Sequence, residues 1–451
     1  VSGGAHACGI ATTGGAYCWG GNWDGQVGDG TMGSGGELYN ADRSADRLSP
    51  VAVDVSAVVV PTAIRSIRVA NVRDTSFTVS WVTDVPATGA VRWGLDDGTA
   101  PANVAPDRRG ASGTFTVHLA TVSGLAPSTR YRFDVTSGPT TDTNGGAHYL
   151  VTTGPTLASV PSPDQSRGTV SRRDGTVPDG VLVHLTASGT SGTSAPLVAL
   201  VTAAEVREWA ANLGNLRTAS LDAAFPVTDA TIVAITADGG ADGTAGAGTT
   251  VATARAGTLA LTLGDQADVA LATGWNLVAL RVAPSPAVTA SGTCVLTNAR
   301  VPGAVVEVVR WIAGAWESHR CGFPPNDFAL EPGAGYFVRT TVPAAWPTWG
   351  TAVTTAVSRT LGPGWNLVGA SATLGTPTTA PGACTVLNTA QAGSALEVVR
   401  WVDGGWEAHS CGFQTNRFTL QAGVGYFVRM ATGGTLAPVG AAQVSAASVR
   451  R

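Results

Sequence analysis

Between residues 61 and 155 apolar and polar side chains alternate in short runs, the period of strands with one buried face. Ser76-Phe77-Thr78-Val79-Ser80-Trp81 puts Phe77, Val79 and Trp81 on one side, and Tyr131-Arg132-Phe133-Asp134-Val135 does the same with Tyr131, Phe133 and Val135. Leu125-Ala126-Pro127-Ser128-Thr129-Arg130 reads as a turn feeding the second run. From residue 160 to 267 the pattern continues through Gly168-Thr169-Val170, a turn at Asp174-Gly175, and Gly180-Val181-Leu182-Val183-His184-Leu185. One passage competes. Residues 203–216 carry Glu205, Val206, Arg207, Glu208 and Ala210 around Trp209, a possible helix start. Asn212-Leu213-Gly214-Asn215 interrupts it too early for an isolated helix, so the pattern predicts a strand containing Trp209.

Beyond residue 267 the dominant feature is a repeat. Gly274-Trp275-Asn276-Leu277-Val278 returns as Gly364-Trp365-Asn366-Leu367-Val368, and Glu307-Val308-Val309-Arg310-Trp311 as Glu397-Val398-Val399-Arg400-Trp401. Gly335-Tyr336-Phe337-Val338-Arg339 returns as Gly425-Tyr426-Phe427-Val428-Arg429, always offset by 90 residues. Trp316 and Trp406, and His319 and His409, keep the same offset. An ungapped match of this length is a duplication. Each copy reads as short strands, with hairpin turns expected at Gly314-Ala315 and Gly404-Gly405. Trp275, Trp311 and Trp316 are expected in the cores of these small modules, and His319 at a surface or turn.

The cysteines fall into three local pairs: Cys8 with Cys18, Cys294 with Cys321, and Cys384 with Cys411. In both repeats the partners are 27 residues apart. His319 near Cys321 raises a metal site as the alternative, but two Cys and one His per copy without a C-x-x-C pair favour disulfides, and no metal is expected. Asp238-Gly239-Gly240-Ala241-Asp242-Gly243 has the composition of a calcium loop without its spacing or its downstream Glu, and reads as a hairpin tip.

Composition narrows the function classes. Charged residues make up only 13% of the chain, Gly numbers 58, and no Lys occurs, so all 27 basic residues are Arg. A net charge of −4 offers no basic stripe for nucleic acid or an anionic membrane. No apolar run approaches the length of a membrane span. The chain lacks an initial Met and a visible signal peptide, which predicts a processed or truncated mature chain. No Ser-His-Asp arrangement, carboxylate pair or phosphate loop stands out, so no catalytic residue and no cofactor is expected.

Several segments resemble known families. His6-Ala7-Cys8-Gly9-Ile10, Gly15-Ala16-Tyr17-Cys18-Trp19-Gly20, Asn22 and Gly25-Gln26-Val27-Gly28-Asp29-Gly30-Thr31, closed by Arg47-Leu48-Ser49-Pro50-Val51-Ala52-Val53, resemble one regulator-of-chromosome-condensation repeat with an insertion near residues 32–46. That resemblance implies a propeller blade with Cys8 and Cys18 on neighbouring strands. The Trp81 and Tyr131 runs resemble a fibronectin type III domain, and Ala90-Val91-Arg92-Trp93-Gly94 the form found ahead of purple acid phosphatases. Residues 160–267 look like a carboxypeptidase-regulatory or transthyretin-like sandwich. The "GWNL…GYFV" copies resemble a β module of multidomain bacterial and archaeal surface proteins, which implies an extracellular location.

The expected architecture is all-β, a linear array of small β-sandwich or β-rich domains with disulfides. A blade-like repeat spans 1–60, a fibronectin-like domain 61–155 and a further sandwich 156–267. Repeat modules follow at 268–357 and 358–433, with a tail or linker at 434–451. The expected role is a non-enzymatic structural protein at the cell surface, self-associating or joining other surface proteins through β-edge contacts, as in a filament or sheath. The alternative is a secreted adhesin that binds glycans through its 13 Trp residues.

Overall fold

The computed structural model describes residues 2–3, 6–11, 16–22, 25–32, 46–53, 62–159, 161–189, 191–205, 207–323, 325–354, 359–370, 379–390 and 392–436. The insertion near 32–46 lies mostly outside the described residues, as do Gly15, Val206 and positions 437–451 of the expected tail. Strands dominate, and the chain divides into two units, Val1–Pro61 and Thr62–Arg451.

In the first unit, four antiparallel strands run in chain order: Ser2–Gly3, His6–Ile10, Ala16–Gly20 and Arg47–Ala52. Cys8 stands directly opposite Cys18 in the register, and the two are bonded. The loop after the third strand is organised by Asn22, which is fully buried. Its Oδ1 accepts the Val27 N–H at 2.9 Å, and its amide donates to the Thr31 carbonyl at 3.0 Å. Asp29 then holds Arg47, tying the loop to the last strand.

The second unit begins with a two-sheet sandwich. Ile64–Ala70, Ser76–Ala87 and Phe115–Ser123 form one sheet. Gly89–Leu95, Asn103–Pro106, Arg130–Ser137, Thr140–Asp142 and Tyr149–Thr152 form the other. Phe77, Val79 and Trp81 meet Tyr131, Phe133 and Val135 between them, as the alternation predicts. The buried indole of Trp81 donates to Ser137 Oγ at 2.8 Å, which spares it an unpaired N–H.

Residues 161–263 build a second sandwich. Val181–Gly189 is central to one sheet, with Leu197–Val201 and Ile232–Asp238 on its flanks. Gln165–Ser171 is central to the other, antiparallel to Glu208–Asn212 and parallel to Leu259–Thr262. The competing passage is therefore a strand, and Trp209 is buried in the core. Its end is set by Asn212, whose side chain accepts the Gly214 N–H.

The two repeats have one plan. In the first, Ala315–Arg320, Val305–Ile312, Gly335–Thr340 and Gly274–Ala279 lie side by side in that order. In the second, Gly405–Ser410, Ala395–Val402, Val424–Met430 and Gly364–Ala370 repeat it. The hairpin turns fall one residue earlier than expected, at Ala313-Gly314 and Asp403-Gly404. All four residues have positive φ, as a two-residue turn matching strand twist requires.

A helix covers one face of each sheet, Ala290–Arg300 in the first copy and Ala380–Ala390 in the second. Thr289 and Thr379 cap them by accepting the N–H of Gly292 and Gly382. The helices carry Cys294 and Cys384, so the bonds Cys294–Cys321 and Cys384–Cys411 pin each helix to the end of a hairpin. Closing a loop of 27 residues is worth about 3.5 kcal/mol by the chain-entropy estimate.

Candidate functional site: an aromatic junction and its cleft

The strands of the two repeats join at Val278 and Val424 into one eight-stranded sheet, and their faces opposite the helices pack on each other. Strand alternation puts Leu277, Val309, Trp311 and Phe337 on the face opposite the first helix, and Leu367, Val399, Trp401 and Phe427 on the same face of the second copy. Phe337 lies 6.0 Å from Trp401, and Phe427 lies 6.2 Å from Trp311, both edge to face. The Trp311 indole donates to the Trp365 carbonyl at 2.8 Å, and the Trp401 indole to the Trp275 carbonyl at 3.0 Å. Backbone bonds repeat the exchange, Ala279 N–H to Gly423 O at 2.9 Å and Gly369 N–H to Gly333 O at 2.8 Å. Each bond maps onto its counterpart by the 90-residue offset. This is the reciprocity of a two-fold dimer interface, realised within one chain.

The expectation that Trp275, Trp311 and Trp316 fill the cores of their own modules is therefore corrected. They belong to the junction, and Trp275 and Trp316 remain 40% and 51% exposed because they sit at its rim. Their counterparts Trp365 and Trp406 are 39% and 53% exposed. Gly335 and Gly425 keep the sheets close: a Cβ at Gly335 would stand 2.7 Å from the Val368 carbonyl, and one at Gly425 would stand 2.8 Å from the Leu277 side chain.

Beside this junction lies a cleft of about 710 Å³. Trp311 and the hairpin tip at Ile312 and Gly314 form one wall, and Arg359, Pro363 and Trp365 lie in the facing segment. Among the described residues the lining contains no carboxylate, and Arg359 is paired with Glu331 at 3.0 Å.

His319 and His409 correct a second expectation. Both are buried, at 2% and 0% exposure, rather than at a surface or turn. His319 Nδ1 donates to the Pro325 carbonyl at 3.3 Å and His409 Nδ1 to the Thr415 carbonyl at 2.8 Å, so each anchors the loop after its disulfide. Asp238 caps the Gly240 N–H and Asp242 pairs with Arg172 at 2.8 Å, which gives the Asp-Gly tip structural duties. Among the described residues no group of three or more His, Cys, Asp or Glu is placed to hold a metal ion.

Two buried polar clusters were not visible in the sequence. His118 Nδ1 donates to Asp107 Oδ2 at 3.1 Å, with Trp81 stacked on the imidazole at 4.9 Å. Burial pushes the Asp107 carboxyl up, but the bonds from His118 and Arg109 and the Arg109 charge outweigh it and hold the carboxyl below its usual range. Both His118 and Asp107 are sealed from solvent, so they tie the end of Asn103–Pro106 to Phe115–Ser123 in the other sheet. His184 bonds Ser80 Oγ at 3.0 Å across the junction of the two sandwiches. Burial, helped by the nearby Arg68 charge, lowers its pKa to about 3, so it is neutral at ordinary pH.

Fold and site together define an all-β, disulfide-linked, multidomain protein. Residues 64–152 match the family model of the purple acid phosphatase N-terminal domain, in agreement with the resemblance carried by Ala90-Val91-Arg92-Trp93-Gly94. No curated protein matches the chain. Among solved structures, the FN1–FN3 domains of chicken CNTN1 align at 12% identity over 64% of this chain and 98% of that one, with a TM-score of 0.16. That score is too low for the superposition to carry a fold assignment.

Proposed function

We propose that this chain is a non-enzymatic extracellular protein that serves as a structural array at a cell surface. The observation that carries the reading is the fate of its chemically able side chains. All six cysteines are spent in disulfides, and the buried His118–Asp107 pair ties one sheet to the other. Stable disulfides belong to oxidising compartments, which supports the location. Within this reading, chains join head to tail through the edges of the N-terminal sheet, Ser2–Gly3 and Arg47–Ala52, where Leu48 is 98% exposed. Electron microscopy of native surface material and sedimentation of the purified chain over a concentration series test it. Ordered filaments and concentration-dependent assembly are expected, and a chain that stays monomeric at high concentration removes the assembly step.

A second reading, a glycan-binding adhesin, is favoured by the half-exposed indoles and the cleft beside them. The two readings are compatible, since a surface array can also adhere.

A further inference from the structure

Sugars are recognised by a particular mixture of surfaces. Their C–H faces stack on aromatic rings, and their hydroxyls exchange hydrogen bonds with short polar groups and backbone. The cleft beside the junction offers that mixture. Trp311, Trp365, Thr360 and the hairpin tip at Gly314 are among its lining residues, and Trp365 is 39% exposed. Charge decides which sugars fit. Among the described lining residues there is no carboxylate, Arg359 is paired with Glu331, and Arg429 over the Trp365 ring is paired with Glu397 at 4.0 Å, so each cation at the cleft has a counter-ion.

We propose that this cleft binds neutral oligosaccharides, with Trp365 as the stacking platform. The assignment rests on the adhesive reading above and gives it a place and a ligand class. The duplication supplies a matched control. Trp275 is the counterpart of Trp365, equally exposed, edge-on to Phe337 as Trp365 is to Phe427, and beneath Arg339 as Trp365 is beneath Arg429. It lies outside the cleft lining. The counterparts of Ala313 and Arg359 are Asp403 and Val269, so the other half carries different chemistry at those positions.

The test is titration of the full chain with neutral gluco-, manno- and galacto-oligosaccharides and with uronic-acid oligosaccharides, read by tryptophan fluorescence and calorimetry. Trp365→Ala, Trp365→Phe and Trp275→Ala are compared after their melting temperatures are matched to the parent. A neutral saccharide is expected to bind. Trp365→Ala should weaken it by about tenfold or more, Trp365→Phe less, and Trp275→Ala within about twofold of the parent. Binding that is unaffected by Trp365→Ala, or equally reduced by Trp275→Ala, overturns the cleft while leaving the adhesive reading standing. Preference for the acidic saccharides overturns the neutral assignment. No binding of any saccharide overturns both.

Discussion

Two of the junctions within the second unit solve one problem, joining neighbours firmly, by opposite means. Between the sandwiches the contact is unsymmetric: Ala70, Val82, Val117 and Leu119 pack on Leu182, Val198 and Leu200. Asn71 clasps the Val198 backbone with bonds of 2.9 and 3.0 Å, and a single imidazole faces a single hydroxyl. Between the repeats the aromatic contacts and the indole bonds occur twice, while the Arg359–Glu331 ion pair occurs once. Unlike neighbours need a tailored patch, whereas duplicated neighbours can reuse one patch against itself. The domains of this unit are thus joined through shared cores and are not isolated beads.

The largest effect should come from the centre of the symmetric junction. Phe337→Ala and Phe427→Ala should each cost about 3–5 kcal/mol in denaturant unfolding, because both rings are nearly buried and each contacts tryptophans of both copies. The two costs should agree within about 1 kcal/mol, and the double variant should cost less than their sum, since Trp316 and Trp406 touch both rings. Clearly unequal costs would break the two-fold equivalence. Next, Gly335→Ala and Gly425→Ala should destabilise by about 1–3 kcal/mol, measured the same way, because the added carbon meets the opposite sheet.

The unsymmetric junction should answer to pH instead. His184 has a folded pKa of about 3, below its unfolded value near 6.5, so the unfolded chain binds the extra proton between those limits. Its contribution is fully present above pH 6.5 and is lost as pH falls, by up to about 1.4 kcal/mol per unit. Melting temperatures from pH 7 to 5 should decline, and His184→Gln should flatten that decline. An unchanged slope in the variant would locate the proton elsewhere. The smallest effect is expected at the rim, where Glu307 pairs with the 43% exposed Arg339 at 3.1 Å. Glu307→Gln should change stability by less than about 1 kcal/mol, and less still in high salt.

How much of this was legible follows from which forces leave a periodic trace. The strands holding Phe77, Trp81, Tyr131 and Phe133 were readable because burial on one face imposes a period of two. The repeat copies declared themselves by their offset, and the cysteine pairs by their spacing. The helices carrying Cys294 and Cys384 did not, since Ser, Gly, Thr and Val are poor helix formers and packing under a disulfide holds them. A signal was present: Ala290, Thr293, Cys294 and Thr297 are buried at helical spacing behind a capping Thr289. The junction was illegible for another reason. Apolar residues on both faces of a strand announce two buried faces without saying what covers the second, so the Trp positions were visible and their partners were not. His319 looked like a turn residue because its neighbours are polar, yet its register opposite Val308 turns it inward.

The reciprocal bonds between the repeats have a consequence for how such a protein diverges. A homodimer must keep both halves of its contact identical, because one gene writes both. Once the halves are tethered in a single polypeptide their local concentration no longer depends on expression, and each half can drift alone. The Arg359 side and the Val269 side are already written differently. A chain built this way keeps its reciprocal contact while one flank is free to change.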